Sequence, residues 1–546
     1  VAETDTDDFK AARVLSLQDD ILVMIFELCL PDTRFSQVCV AWRVLAIGTP
    51  CLWTSIDFFR SELTVSGIER LHRVRDSIFD VEFCEQFMIG QGVPVGPCID
   101  AYTAKSSNVR KLSVRCCNAR TAARIFRSHK PPLELEELDI RANYIENSEY
   151  SFDNSAAEPD DPIPLEFGPD LFDGSAPRLH KLMLYEVYID PSWPPYSQLR
   201  ACHIKVVSYD CKIGVRKLLS LFDAMPLLED FAAERIVDEE GLMTTTPKKV
   251  SLSRVREFFL EDHVPCLAAV FGHLSFPPTA VLSIINAYQE VEPTEAHGLL
   301  QAVSPHLANN RERFLASTAV IEVDFSQSYF TAKDHNSDKC WIKFCLCMDA
   351  SLFVTTFSAH LPLDGMRHLQ VPRDLWAPTP LGRQAWDTIF ASMPQIESVV
   401  VNEVHVPNLC EALATSSPVC PLLHRLELLQ YSHMHMLETM DSGYTMLDLI
   451  ADTMKARRDL GVPIRDLLLE HVQMEDARAL CDELFARGLE FQVVEDDEEA
   501  EGELEGWEEE WSDDEDGECG KLWYKGFLQS LRDSKLQRRL LVAREG

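Results

Sequence analysis

From Leu15 to Phe58 the chain alternates short apolar stripes with polar breaks. Asp19 and Asp20 open a run in which Ile21, Leu22, Ile25, Phe26 and Cys29 recur at helical spacing, with Met24 and Leu28 on a neighbouring face. Acidic residues suit a helix N-terminus, and Pro31 ends the run. A second run from about Ser36 to Ile47 carries Val38, Cys39, Trp42 and Leu45 on one side, and Gly48 stops it. Pro50, Leu52 and Trp53 follow, then a strand-like Thr54–Phe58. The spacing predicts two short helical runs in a stretch that is apolar on more faces than a unit this small can bury by itself.

After Ser61 the period changes. Ile68, Leu71, Val74 and Arg75 keep helical spacing, and Ile78–Phe83 alternates as a strand. A recurring phrase, Leu-x-x-Leu-x-Leu, then takes over. Val109/Leu112/Val114 with Cys117, and Leu135/Leu138/Ile140 with Asn143, carry it most clearly. Looser copies run through Leu179/Leu182/Leu184, Leu199/Cys202/Ile204, Leu228/Phe231, Val255/Phe258/Leu260, Ile396/Val399/Val401, Leu423/Leu426/Leu428 and Ile464/Leu467/Leu469. Each phrase predicts a short strand whose alternate residues enter a core shared with the next copy, since one copy cannot bury its apolar face alone. Spacings of 26 residues from Leu112 to Leu138 and 27 from Val399 to Leu426 fit a leucine-rich-repeat period. Between 274 and 357 the phrase fades. His273–Pro278 with Val281–Ile284 reads as a strand pair, and Ile321–Phe325 and Trp341–Cys347 read as further strands. Residues 144–176 hold nine acidic side chains and no lysine or arginine, which predicts an inserted loop. A second loop is expected from Asp238 to Lys249.

The opening stretch resembles the F-box, closest to the version in fungal F-box proteins. The resemblance rests on Leu17, Asp20-Ile21-Leu22, Ile25-Phe26, Val38-Cys39, Trp42-Arg43 and Pro50-Cys51-Leu52-Trp53, in family order; Gln18 stands where the family usually has proline. It implies a three-helix unit at 13–60 that docks on the Skp-type adaptor of a cullin–RING ubiquitin ligase. The residues implied for the adaptor are Leu17, Ile21, Leu22, Ile25, Phe26, Val38, Cys39, Trp42, Leu52 and Trp53. Some of these must instead hold the helices together, and the sequence does not sort them. The irregular phrases over 61–494 resemble, more loosely, the repeats that follow the F-box in that family. The expected fold class is therefore α/β: an F-box, then a leucine-rich-repeat-like solenoid with parallel strands on its concave face.

Composition adds limits. The net charge of −37 argues against a general nucleic-acid binder and against docking on anionic membranes. It points to a target with a basic patch. Seventeen scattered cysteines, an odd number without a framework, fit a reducing compartment, so the expected location is intracellular, cytoplasmic or nuclear. Residues 1–12 form a polar tail without a secretory pattern, and the chain opens on Val1 rather than Met, which reads as a missing true start. Residues 495–518 contain sixteen acidic and no basic side chains and are expected to be disordered. Within them Ser512 precedes Asp513-Asp514-Glu515, a context acidophilic kinases favour. Residues 519–546 are basic and amphipathic, which predicts a helix or a free tail.

Motifs that carry chemistry are few. There is no Walker A phrase, HExxH, GxSxG or kinase signature. Gly90–Gly96 grazes a phosphate loop, but a capped helix after it is not expected. Cys340, Cys345 and Cys347 lack a paired cluster for zinc, and Cys345 and Cys347 read as one face of a buried strand. His433 and His435 read as surface residues. No catalytic residue, metal or cofactor is expected. The function that follows is a non-catalytic receptor presenting a target for ubiquitin transfer. The alternative is an acidic scaffold or chaperone for basic proteins.

Overall fold

The computed structural model describes residues 17–30, 35–58, 61–84, 95–116, 132–142, 165–167, 171–207, 211–238, 248–286, 291–310, 319–324, 329–334, 340–346, 350–371, 380–415, 419–429, 445–470, 482–487, 493–496 and 539–542, with single residues at 122, 125, 126 and 312. It is α/β, and its strands pair mostly in parallel. The chain divides into two compact units. One comprises Val1–Glu146 with Ser151–Gly241, the other Leu242–Gly546 with Asn147–Tyr150.

The first unit begins with α1 (Asp19–Leu28), α2 (Phe35–Val38), α3 (Val40–Gly48) and a 3-10 turn (Pro50–Trp53). The second expected helical run is in fact split. Cys39 is extended (φ −153°, ψ 170°), and its Sγ caps α3 by accepting from the Trp42 amide. Then come β1 (Ser55–Asp57), α4 (Ser61–Arg73), β2 (Phe79–Cys84), α5 (Val95–Thr103), β3 (Val109–Cys116), β4 (Glu137–Ala142), β5 (Leu165–Phe167), β6 (Lys181–Tyr185), β7 (Val187–Ile189), β8 (Ala201–Lys205), α6 (Val215–Asp223) and β9 (Asp230–Glu234). β1, β2, β3, β4, β6, β8 and β9 lie side by side in chain order, every pair parallel.

The repeated phrase sets that register. Ile56, Val81, Leu112, Leu138, Leu182, Cys202 and Phe231 stand opposite one another from strand to strand, and all are buried. One residue of slip would send every one of them to the open face. Parallel neighbours need a crossover, and α6 supplies one between β8 and β9. Its buried Phe222 meets Phe231 edge-on, 4.8 Å between ring centres.

The second unit contains β10 (Val250–Ser251), β11 (Glu257–Asp262), α7 (Val264–Phe271), β12 (Leu274–Ser275), β13 (Val281–Asn286), α8 (Pro293–Asn309), β14 (Ala319–Asp324), β15 (Tyr329–Asp334), β16 (Cys340–Cys345), α9 (Ala350–His360), β17 (His368–Val371), α10 (Arg383–Ser392), β18 (Ser398–Asn402), α11 (Val406–Leu413), β19 (Arg425–Leu429), α12 (Met446–Asp459), β20 (Asp466–Glu470), β21 (Val493–Asp496) and β22 (Arg539–Val542). Leu369, Val399, Leu426 and Leu467 align across β17 to β20, as the phrase demands.

Several expectations need correction. The strands are not all parallel. β15 runs antiparallel between β14 and β16, so β13 pairs with β16 while β14 pairs with β17. The four residues separating β14 from β15 are too few for a parallel crossover. The segments 274–275 and 281–286 do not pair with each other. β12 joins β10, and β13 lies between β11 and β16. In β16 the buried residues are Ile342 and Phe344, so Cys345 lies on the opposite, half-exposed face; Cys347 lies outside the described residues. α5 starts at Val95, inside the glycine-rich stretch, and the residue before it lies outside the described ones. The insertion is not loop throughout: β5 pairs with β7, and Phe172 is buried. At the C-terminus, Arg539–Val542 is a strand rather than a helix. It pairs antiparallel with both β20 and β21, because the edge of Leu467–Leu469 needs a hydrogen-bonding partner more than the leucine spacing favours a helix. Glu495 and Asp496 belong to β21, so the acidic segment begins inside the sheet. Residues 1–12, 144–164, 239–247 and 497–538, together with His433 and His435, lie outside the described residues.

Candidate functional site: the apolar face of the N-terminal helices

The N-terminal unit has its own small core of Leu22, Phe26, Phe35, Ala46, Leu52 and Trp53, with Leu30, Trp42 and Leu45 packed against it. Phe26 stacks on Phe35 at 4.5 Å and meets Trp42 edge-on at 5.1 Å. The Trp53 indole N–H donates to the Ala46 carbonyl at 2.8 Å, and the Arg73 guanidinium lies 4.4 Å over its ring. Arg43 Nε donates to Ser36 O at 3.1 Å, tying α3 to α2. Cys51 Sγ donates to Glu27 Oε1 at 3.4 Å, holding the turn against α1. Burial first, and then Glu27, push the Cys51 thiol above its ordinary range, so it stays protonated as that donor.

The ten residues singled out in the sequence divide on this geometry. Leu22, Phe26, Leu52 and Trp53 are enclosed by their own unit and offer no surface to a partner, which corrects their place among partner-facing residues. Cys39 and Trp42 are half-buried, one as a helix cap and one against the core. Leu17, Ile21, Ile25 and Val38 are exposed.

Beside Val38, four more strongly exposed apolar residues of these helices were not in that set. Leu28 is 87% exposed, Val40 73%, Val44 66% and Met24 60%. On α1, Ile21, Met24, Ile25 and Leu28 follow i, i+3, i+4, i+7 and form one stripe. On α3, Val40, Val44 and Ile47 do the same. The signal was in the sequence. α1 is apolar both on the Leu22/Phe26 side and on this one, and a single small core uses only one side.

Exposed apolar side chains at helical spacing suit association with another apolar surface. No group of three or more histidine, cysteine, aspartate or glutamate side chains able to hold a metal occurs among the described residues. The cysteines whose side chains are described are free thiols, seven of them buried. No helix among the described residues is long and apolar enough to cross a membrane.

No family model matches the chain, and no curated protein matches it. Among solved structures, a crystal structure of a protein from Bacteroides fragilis is similar to it at 12% identity and a TM-score of 0.18. The likeness covers 43% of this chain and 61% of that one, under two thirds of the relative's length. At that score it carries no argument about fold or function.

Proposed function

We propose that this chain is the non-catalytic substrate receptor of a cullin–RING ubiquitin ligase. In this reading residues 13–60 are an F-box that holds the Skp-type adaptor, and the strand phrases after it form a leucine-rich-repeat-like solenoid that presents a target. The observation that supports it most is the pair of exposed apolar stripes on α1 and α3, beside a core already closed by Phe26 and Trp53. Apolar side chains at regular helical positions, left in water after the unit has filled its own core, are what helix-in-groove recognition requires. Burying one such side chain in a partner is worth about 1.5–3 kcal/mol, so a handful supplies a useful share of an affinity. The order of residues that resembles the F-box says which partner to try first.

The test is co-purification with a Skp-type adaptor. Phe26 is the wrong residue to change, because its loss opens the core. Met24→Glu, Leu28→Glu and Val44→Glu together should abolish adaptor capture while circular dichroism and melting stay as in the unaltered chain. Undiminished capture by that folded variant would refute the assignment of this face.

A further inference from the structure

Two histidines from neighbouring helices of the second unit meet outside its core. His297 is exposed one turn into α8, whose Ala296, Leu299 and Leu300 are buried. The half-buried His360 closes α9, which packs beside α8. His360 Nε2 and His297 Nδ1 stand 2.9 Å apart, although 63 residues separate them in sequence. The packing of two helices, rather than local chain geometry, brings these nitrogens together.

Only one proton fits between nitrogens that close. One of them therefore keeps a lone pair on the inner side, and the other gains one when its proton moves to the outer nitrogen of the same ring. Burial first, and then His297, hold the His360 ring below its ordinary range, so this ring is neutral at neutral pH. A neutral imidazole is the form of histidine that binds a metal. The ring centres are 4.5 Å apart and the planes 68° apart. A straight N–H···N contact would set the centres farther apart, so at least one nitrogen axis is inclined to the line joining the two. An ion held by both nitrogens lies off that line.

The separation also selects the metal. Two nitrogens 2.9 Å apart, each about 2.0–2.1 Å from a shared ion, subtend roughly 90° at it. That is the cis angle of a tetragonal or octahedral centre, whereas a tetrahedral zinc would need the nitrogens about 3.3 Å apart. Hard cations want carboxylates. Glu295, two residues before His297, is committed to the capping box of α8, where its Oε2 accepts from the Glu292 amide at 3.3 Å. Among the described residues no third histidine, cysteine, aspartate or glutamate completes a cluster, so water takes the remaining positions.

We infer that His297 and His360 form a two-nitrogen site for a late divalent transition metal of the nickel(II) and copper(II) class, which staples α8 to α9. This goes beyond the receptor reading and does not depend on it. Binding moves the inner proton to the outer nitrogen of its own ring, and no proton need leave the pair at neutral pH.

The experiment titrates the untagged full chain with nickel(II) chloride by calorimetry, with zinc(II) as a second arm. The chain's other histidines and its many carboxylates supply a weak background common to parent and variants. The parent should show one tighter equivalent, which His297→Gln or His360→Gln weakens by at least about tenfold, because the second bond of a two-point contact forms at high effective concentration. Nickel should raise the melting temperature of the parent and leave that of both variants where it was. Without metal the variants should melt close to the parent, which separates loss of a ligand from loss of the fold. His297→Cys keeps a metal-binding side chain and should retain more of the nickel response than His297→Gln. Identical nickel uptake by the parent and both glutamine variants, loss of the tighter equivalent in only one of them, or tighter binding of zinc than of nickel would each overturn the inference.

Discussion

Arg457 provides a test of how the second unit is held together. It sits in α12 with its side chain wholly buried. Nη1 donates to the Val419 carbonyl at 2.7 Å, and Nη2 donates to Cys420 O at 2.9 Å and Leu423 O at 3.5 Å. Among the described residues no carboxylate pairs with it. Two effects oppose each other. Burial disfavours the charge and pulls the guanidinium below its ordinary range. Against that, each charge-assisted bond is worth about 1.5–3 kcal/mol. Replacing both members of a buried ion pair with apolar residues is often neutral, because both charges leave. Here only one member can leave. The carbonyls of Val419 and Cys420 belong to the backbone and would remain, at a cost of about 1–3 kcal/mol each if left dry. Arg457→Met should therefore destabilise the second unit by roughly 3 kcal/mol even though methionine fills much of the space. Urea unfolding should show an earlier transition at unchanged slope, and hydrogen exchange should quicken in β19, which follows the capped loop directly. A methionine variant as stable as the parent, with β19 equally protected, would mean that desolvation outweighs the three bonds and that the reasoning is wrong.

Other outcomes follow from the same geometry. His405 is fully buried, its Nδ1 accepts from the Leu381 amide at 3.0 Å, and burial lowers its pKa to about 4 from an ordinary 6.5. The fold thus favours the neutral ring. Its contribution is complete above pH 6.5 and drains away as pH falls toward 4, by up to about 3 kcal/mol. Plots of stability against pH should show this for the parent and flatten for His405→Gln. A Cβ at Gly67 would lie 2.7 Å from Phe58 Cε1, and Phe58 is itself stacked on Phe83 at 4.9 Å. Gly67→Ala should cost about 1–3 kcal/mol by thermal melting, because the ring has nowhere to retreat. In α1, Phe26→Ala should cost about 3–5 kcal/mol and Leu28→Ala under about 0.5, which distinguishes the inward stripe from the outward one by denaturation alone.

Much of the fold was legible because the phrase that specifies it is periodic in two senses. Leu112, Leu138 and Leu182 recur along the chain, and each also alternates with polar neighbours, so strand, face and register followed together. What could not be read depended on partners distant in sequence. Leu540, Leu541 and Val542 lie in a helix-compatible pattern, and only the open edge of β20 makes them a strand. The antiparallel β14–β15–β16 excursion was readable in principle, since Asp334-His-Asn-Ser-Asp338 is a cluster of turn-forming residues between two apolar runs. In the candidate site, motif order picked out enclosed and exposed side chains alike. Phe26 and Trp53 fit the pattern because the unit cannot fold without them, whereas Val40 and Val44 serve no internal purpose and so left no mark beyond being apolar.

The pairing of Asp496 with Arg539 across β21 and β22 fixes the two ends of the span 497–538 a single strand-width apart. A protease that cuts anywhere within it would release no fragment. The severed C-terminal piece would stay clipped to β20 by its backbone, and the cut would become visible only after denaturation.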